Sequence, residues 1–310
     1  MITTITGEYP NKALTQASKE ELSGSDLKQV RDDAVIDVIK QMESAGLDII
    51  TDGMIRWPDP VSYIARRFDG AESGTSLPYF NTDTNYIQPI IKNGLKWNSP
   101  ITVDDYKFAS SKSNKKVKAV LTGPFTLAKL SADEYYNDIT KLTEAFAVCL
   151  NSEMRELQKA GCDHIAINEP GLVNFHDETV AFFDTAPALL DGIEITTAIF
   201  TYFGVIGKVY SKLFELPFDI IGLDFVINER NWDFIPQFPD DKILSFGIIN
   251  GSNAEIEDKE DIIDALSDIT EFILPERLHV NPNCGLTNLS PEIAYRKINN
   301  MTEIVKEFKK

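Results

Sequence analysis

The feature that most constrains this chain is an alternation of short, β-leaning apolar runs with helical apolar patterns, repeated from one end to the other. Residues 2–9 alternate β-branched side chains and stop at Gly7-Glu8-Tyr9-Pro10, the mark of a strand and its turn. After a polar connection, Ser25 or Asp26 can cap a helix in which Val30, Val35, Val38, Ile39 and Met42 keep a helical rhythm up to Gly46. A compact run at 47–51 then leads into Asp52-Gly53. Further strands are read at 117–122, 164–167, 193–202, 218–226 and 242–249, and an eighth within 277–289. Proline cannot donate to a sheet ladder, so the eighth strand should stop near Pro282 and leave Cys284 in the turn beyond it. Helical patterns at 133–160, 177–190, 205–214 and 256–273 separate the strands, and Ser290-Pro291 starts a terminal helix.

Eight such runs predict an α/β fold, a (β/α)₈ TIM barrel forming one domain over residues 1–310. A doubly wound open sheet is the alternative, and no Gly-x-Gly-x-x-Gly follows a strand to favour it. The alternation lapses over 70–115, where Tyr79, Phe80, Tyr86, Trp97 and Tyr106 and strand-like pieces at 87–91 and 101–103 predict a folded insert in the connection after strand two. The stretch 228–241 is proline- and aromatic-rich and only weakly helical.

A net charge of −18 repels phosphate backbones and anionic lipid, which leaves a small molecule or a protein as the expected partner. Three cysteines, Cys149, Cys162 and Cys284, are too sparse for a disulfide framework and suit a reducing cytoplasm. The first residues lack the basic and apolar segments of a signal peptide, and no apolar run approaches the roughly 20 residues that span a bilayer.

In a barrel, chemistry gathers at the C-terminal strand ends. Here those positions hold Glu8, Asp52, Arg56, Asp59, Thr122, Asn168, Glu169, Thr201, Asp224, Asn250, Asn253, Asn283 and Cys284. This acidic, amide-rich set suits a ligand with an ammonium group or several exchangeable hydrogens. The bland alternatives are equally concrete: Asp52 and Glu169 as loop-capping carboxylates, Arg56 paired with Asp59, and 250–253 as turn chemistry. His164 and His279 each stand five residues before a strand end, roughly 16 Å away in extended backbone, so only His176 can approach the rim. No strand places a lysine near its end, which disfavours a Schiff-base aldolase.

The segments ITGEYP, AGLDIITDGMIRWPDPVSYI, LTGPFTLAKLS, AGCDHIAINEPGL, SFGIINGSN and VNPNCGL resemble, in order and over nearly the whole chain, the cobalamin-independent methionine synthase family. The resemblance implies a (β/α)₈ barrel in which zinc activates the homocysteine thiolate for attack on a donor's methyl group. It implies a metal ligand at Cys284 and, weakly, at Asp224 in place of the family's Glu. The family's His-x-Cys pair has no counterpart in 195–204, and Asn168 stands where the family has the Asp that pairs with the homocysteine ammonium. By the same resemblance Asp52, Arg56 and Asp59 are expected to bind the methyl donor, and Asn168 with Glu169 the polar end of an amino-acid-like ligand. The segments 201–204 and 245–253 look like the family's non-catalytic N-terminal barrel, whereas VNPNCGL looks like its catalytic one. The expected role is a non-catalytic or donor-binding partner subunit of a separate zinc-bearing barrel. The alternatives are a self-sufficient thiol methyltransferase with an atypical metal site, or a ligand-binding or decarboxylase-like barrel of the wider superfamily.

Overall fold

A computed structural model of the chain describes residues 1–11 and 24–309, so the polar connection expected before the first helix lies outside the described residues. The chain divides into two compact units: residues 1–56, 105–118 and 222–310, and residues 57–104 and 119–221. The boundary near residue 221 falls inside the strand Ile220–Asp224.

In the first unit, β1 (Ile2–Thr3), α1 (Gly24–Ser44) and β2 (Ile49–Ile50) follow in order. Ser25 and Asp26, expected as caps, lie inside α1. That helix buries Ala34, Val35, Val38, Ile39 and Met42, the apolar stripe read from the sequence. The Asp48 N–H donates to the Thr3 carbonyl at 3.0 Å, which sets β2 beside β1.

The second unit opens with α2 (Ser62–Ala65) and an antiparallel pair, β3 (Asp69–Pro78) and β4 (Asn85–Lys96). The chain returns to the first unit at Asp105, within α3 (Val103–Lys112), and goes on to β5 (Lys116–Val117), which pairs in parallel with β2. Residues 101–103 are therefore a helix start and not a strand. The backbone N–H groups of Ile101 and Thr102 donate to Glu153, a buried carboxylate, instead of to a ladder.

The second unit resumes with β6 (Ala119–Thr122), α4 (Pro124–Lys129), β7 (Ala132–Asp133, on the edge of β4) and α5 (Ile139–Lys159). Asp138 caps α5 by accepting from Thr140 and Lys141. Then come β8 (His164–Asn168), α6 (Gly171–Asn174), α7 (Val180–Leu190), β9 (Thr196–Phe200) and α8 (Tyr210–Glu215). In this unit β6, β8, β9 and the first half of β10 (Ile220–Asp224) are parallel neighbours, with Thr122 opposite Asn168 and Asn168 opposite Phe200.

The chain ends in the first unit with β11 (Ile243–Ile249), α9 (Lys259–Thr270), β12 (Leu278–Pro282) and α10 (Pro291–Phe308). There the parallel order is β1, β12, β11 and the second half of β10. The weakly helical 228–241 contains a 3₁₀ segment, Glu229–Gln237, started by the Asn228 side chain. Ser290 caps α10 as expected, accepting from the Ile293 N–H at 3.3 Å.

The fold is thus α/β, with parallel strands joined through helices, and β8, β10 and β12 are buried along their whole length. No helix among the described residues is long and apolar enough to cross a membrane.

Candidate functional site

Strand ends carry the expected residues in both units, and the local chemistry differs between them. In the first unit β12 stops at Pro282, and the Asn283 N–H donates to the Ile249 carbonyl at 2.8 Å. Cys284 therefore falls in the turn, 3% exposed, with Sγ 3.6 Å from Ser252 Oγ. Burial pushes its thiol up to about 12, and the charges of Asp224 and Glu8 push the same way. Asp224 at the end of β10 is fully buried and accepts at Oδ1 from the Val226 and Ile227 N–H groups, each at 3.0 Å, and from Asn283 Nδ2 at 3.1 Å. This carboxylate holds its own turn and orients the loop that carries Cys284.

A catalytic zinc site needs about three protein ligands and an open position. Among the described residues no three His, Cys, Asp or Glu side chains are arranged to hold a metal ion. In the first unit Asp224 Oδ1 already accepts three hydrogen bonds. Among the described residues the donor set at Cys284 does not fit zinc.

Asp52 follows β2 in a turn where Gly53 (φ 70°) and Met54 (φ 52°) both take the left-handed conformation, and its Oδ1 accepts from the Met54 N–H at 2.9 Å. Burial, then the charge of Asp105, push Asp52 up to about 6. Arg56 does not pair with Asp59. Its guanidinium bridges Asp32 and Asp105, the latter at 2.8 Å, and lies 4.5 Å from the centre of the Phe108 ring. Asp59, in the second unit, is a cap: it accepts from the Val61 N–H at 2.9 Å, the Ser62 N–H at 2.6 Å and the Ser62 hydroxyl, which starts α2. Both residues have framework roles that sequence spacing does not show.

In the second unit Asn168 and Glu169 close β8. Glu169 is fully buried and accepts from the Phe125 N–H at 3.1 Å, the Thr126 N–H at 2.6 Å and the Thr126 hydroxyl, at the start of α4. Gly123 permits this, because a Cβ there would collide with Glu169 Oε2. Burial pushes Glu169 up to about 8 against the pull of those three donors. Asn168 is 6% exposed, and its Oδ1 is buried with no hydrogen-bond partner.

His164 and His279 stand near the starts of β8 and β12, both buried, so neither belongs to a strand-end site. His176 begins a 3₁₀ turn after β8; burial, then Lys208, lower its pKa. Sequence reasoning missed Phe80, Phe175 and Phe203, which gather from three loops of this unit. The available signal was aromatic residues beside strand ends, as in Tyr202-Phe203. It also gave no role to Lys118, buried between β5 and β6.

These features define an α/β protein whose acids, amides and thiol collect just beyond parallel strands. Residues 1–307 match the family model described as cobalamin-independent synthase, catalytic domain. The chain belongs to the cobalamin-independent methionine synthase family. It is 30% identical to a methionine synthase of Sulfurisphaera tokodaii, covering 98% of this chain and 92% of that one. It is 31% identical to one of Saccharolobus islandicus, over 97% of this chain and 92% of the relative. In fold it is similar to a B12-independent methionine synthase from a Shewanella species in complex with selenomethionine, with a TM-score of 0.88 at 23% identity, covering 98% of this chain and 97% of the other. A second similar fold is a putative vitamin-B12-independent methionine synthase from Listeria monocytogenes, with a TM-score of 0.81 at 16% identity, covering 99% and 98%.

Proposed function

We propose that this chain takes part in methyl transfer to the homocysteine thiol as a donor-binding partner subunit of a separate zinc-bearing barrel. The observation that carries the reading is the broken ligand set: Cys284 is present, but no three metal-ligating side chains come together among the described residues. Homocysteine activation then falls to another barrel, and this chain contributes recognition. Its fold is read as a single (β/α)₈ barrel over 1–310, with the insert 70–115 after the second strand. The Asp48 to Thr3 and β2 to β5 pairings support closure on that side. Asp52 is the acid we assign to donor binding; Arg56, beyond its turn, pairs with Asp32 and Asp105, and Asp59 caps α2. Three free cysteines support a reducing cytoplasm.

The test is co-purification with a zinc-bearing methionine synthase barrel and an assay of the mixed pair. Association with a raised rate is expected; no association and no change in rate would sink the reading. A second reading, a self-sufficient methyltransferase, is favoured by the match to the catalytic-domain model. Near-stoichiometric zinc that disappears in Cys284→Ser would support it.

A further inference from the structure

Cys284 is buried in the first unit, and a single loop lies against its sulfur. Between β11 and α9, residues 250–258 run without helix or strand. Gly251 sits directly on the thiol: a Cβ there would stand 2.9 Å from Cys284 Sγ and 2.8 Å from the Gly285 carbonyl oxygen, so a bulkier residue would hold the chain away. Ser252 Oγ is 3.6 Å from the same sulfur, and the Gly251 N–H donates to Asn283 Oδ1 at 2.9 Å. The loop therefore touches both the thiol and the residue before it.

The loop is held in turn from α10. Lys297, a fully buried lysine of that helix, donates to Glu257 Oε1 at 2.7 Å and to Asn253 Oδ1 at 3.4 Å. The same Glu257 oxygen accepts from the Asn250 N–H at 2.7 Å, and Asn300 Nδ2 donates to the Glu257 carbonyl at 2.9 Å. One ammonium thus ties 253 and 257 to the helix directly, and 250 through Glu257. A buried ammonium requires its carboxylate, and the dependence is mutual. Glu257 Oε2 is buried with no hydrogen-bond partner, so the lost hydration of this carboxylate is offset at Oε1 alone. Without the ammonium, Glu257 favours solvent, and the turn hydrogen-bonded to it is free to open.

We propose that Lys297 is a positioning residue: acting through Glu257, its ammonium straps the loop 250–257 to α10 and keeps it closed over Cys284, so that the thiol meets a thiol-reactive molecule only when the strap releases. The device goes beyond the partner role and holds whether the chain works alone or in a mixture.

The experiment labels the native full chain at pH 8 with a small methanethiosulfonate and scores Cys149, Cys162 and Cys284 separately by peptide mass. All three should react slowly in the unaltered chain. Lys297→Met removes the strap at similar volume, and Cys284 should then react at least tenfold faster while Cys149 and Cys162 keep their rates. Gly251→Ala leaves the strap intact and lifts the loop by its Cβ, so it should also accelerate Cys284 alone. The other two cysteines separate a released loop from a loosened fold. Equal acceleration of all three thiols in Lys297→Met, or an unchanged Cys284 in either variant, would overturn the proposal. Should Lys297→Met fail to fold, Glu257→Gln keeps an oxygen for both donors and removes only the charge. It should raise labelling at least threefold at Cys284 alone, and no rise there would overturn the proposal equally.

Discussion

Lys118 gives the sharpest test of the physical reading. It lies between β5 and β6, its N–H donates to the Ile50 carbonyl at 2.9 Å, and it is 1% exposed. Burial lowers its ammonium from the ordinary 10.5 to about 7. One pKa unit corresponds to about 1.4 kcal/mol, so the charged form costs the fold about 5 kcal/mol as an upper bound. Because the folded pKa is depressed, the unfolded chain binds the extra proton between pH 7 and 10.5. The full cost applies below pH 7 and fades as pH rises to 10.5. Lys118→Met keeps most of the volume and removes the charge. With an unfolding entropy of about 2 cal/mol/K per residue, the upper bound corresponds to a rise of about 8 °C in Tm at neutral pH. Thermal and urea unfolding of both proteins from pH 6 to 10 should show a gap that is widest at or below pH 7 and closes toward pH 10. A gap independent of pH, or a destabilised variant at pH 7, would refute the assignment of cost to the buried charge.

Glu169 should behave with the opposite sign. Its folded pKa is raised from 4.5 to about 8, so its cost grows as pH climbs through that window, and Glu169→Gln should flatten the fall in stability measured there. Glu153, fully buried, accepts from Trp97 Nε1 and from the Ile101 and Thr102 N–H groups. Glu153→Ala would leave these donors unmet at about 1–3 kcal/mol each, and hydrogen exchange should report the loss first in 97–102. Cys149 and Cys284 are pushed up to about 11 and 12, and all three cysteines are buried. A thiol-specific disulfide reagent at pH 8 should label none of them quickly in the native protein and all three in urea.

Much of the strand pattern was legible because proline and turn residues punctuate it: Pro282 ends β12 and Ser290 caps α10. The antiparallel pair β3 and β4 was only partly so. β3 is polar on both faces, with no residue fully buried along it, and such a strand leaves no alternation to read. The apolar run at 101–103 resembles a strand, but its N–H groups meet Glu153, and that partner lies some fifty residues away. Site roles were harder still. Arg56 finds Asp32 and Asp105 at separations of 24 and 49 residues, while Asp59, three residues off, turns to the backbone of α2. Spacing marks which residues can reach a strand end; the fold decides which of them are already engaged.

The central claim is that this chain serves homocysteine methylation without a complete zinc site of its own. The most direct measurement is methionine formation from homocysteine by the purified chain with zinc supplied, first alone and then with a zinc-bearing methionine synthase barrel. No turnover alone and a raised rate in the mixture is the expected result. Full turnover by the chain alone, with zinc bound one to one and lost in Cys284→Ser, would contradict it.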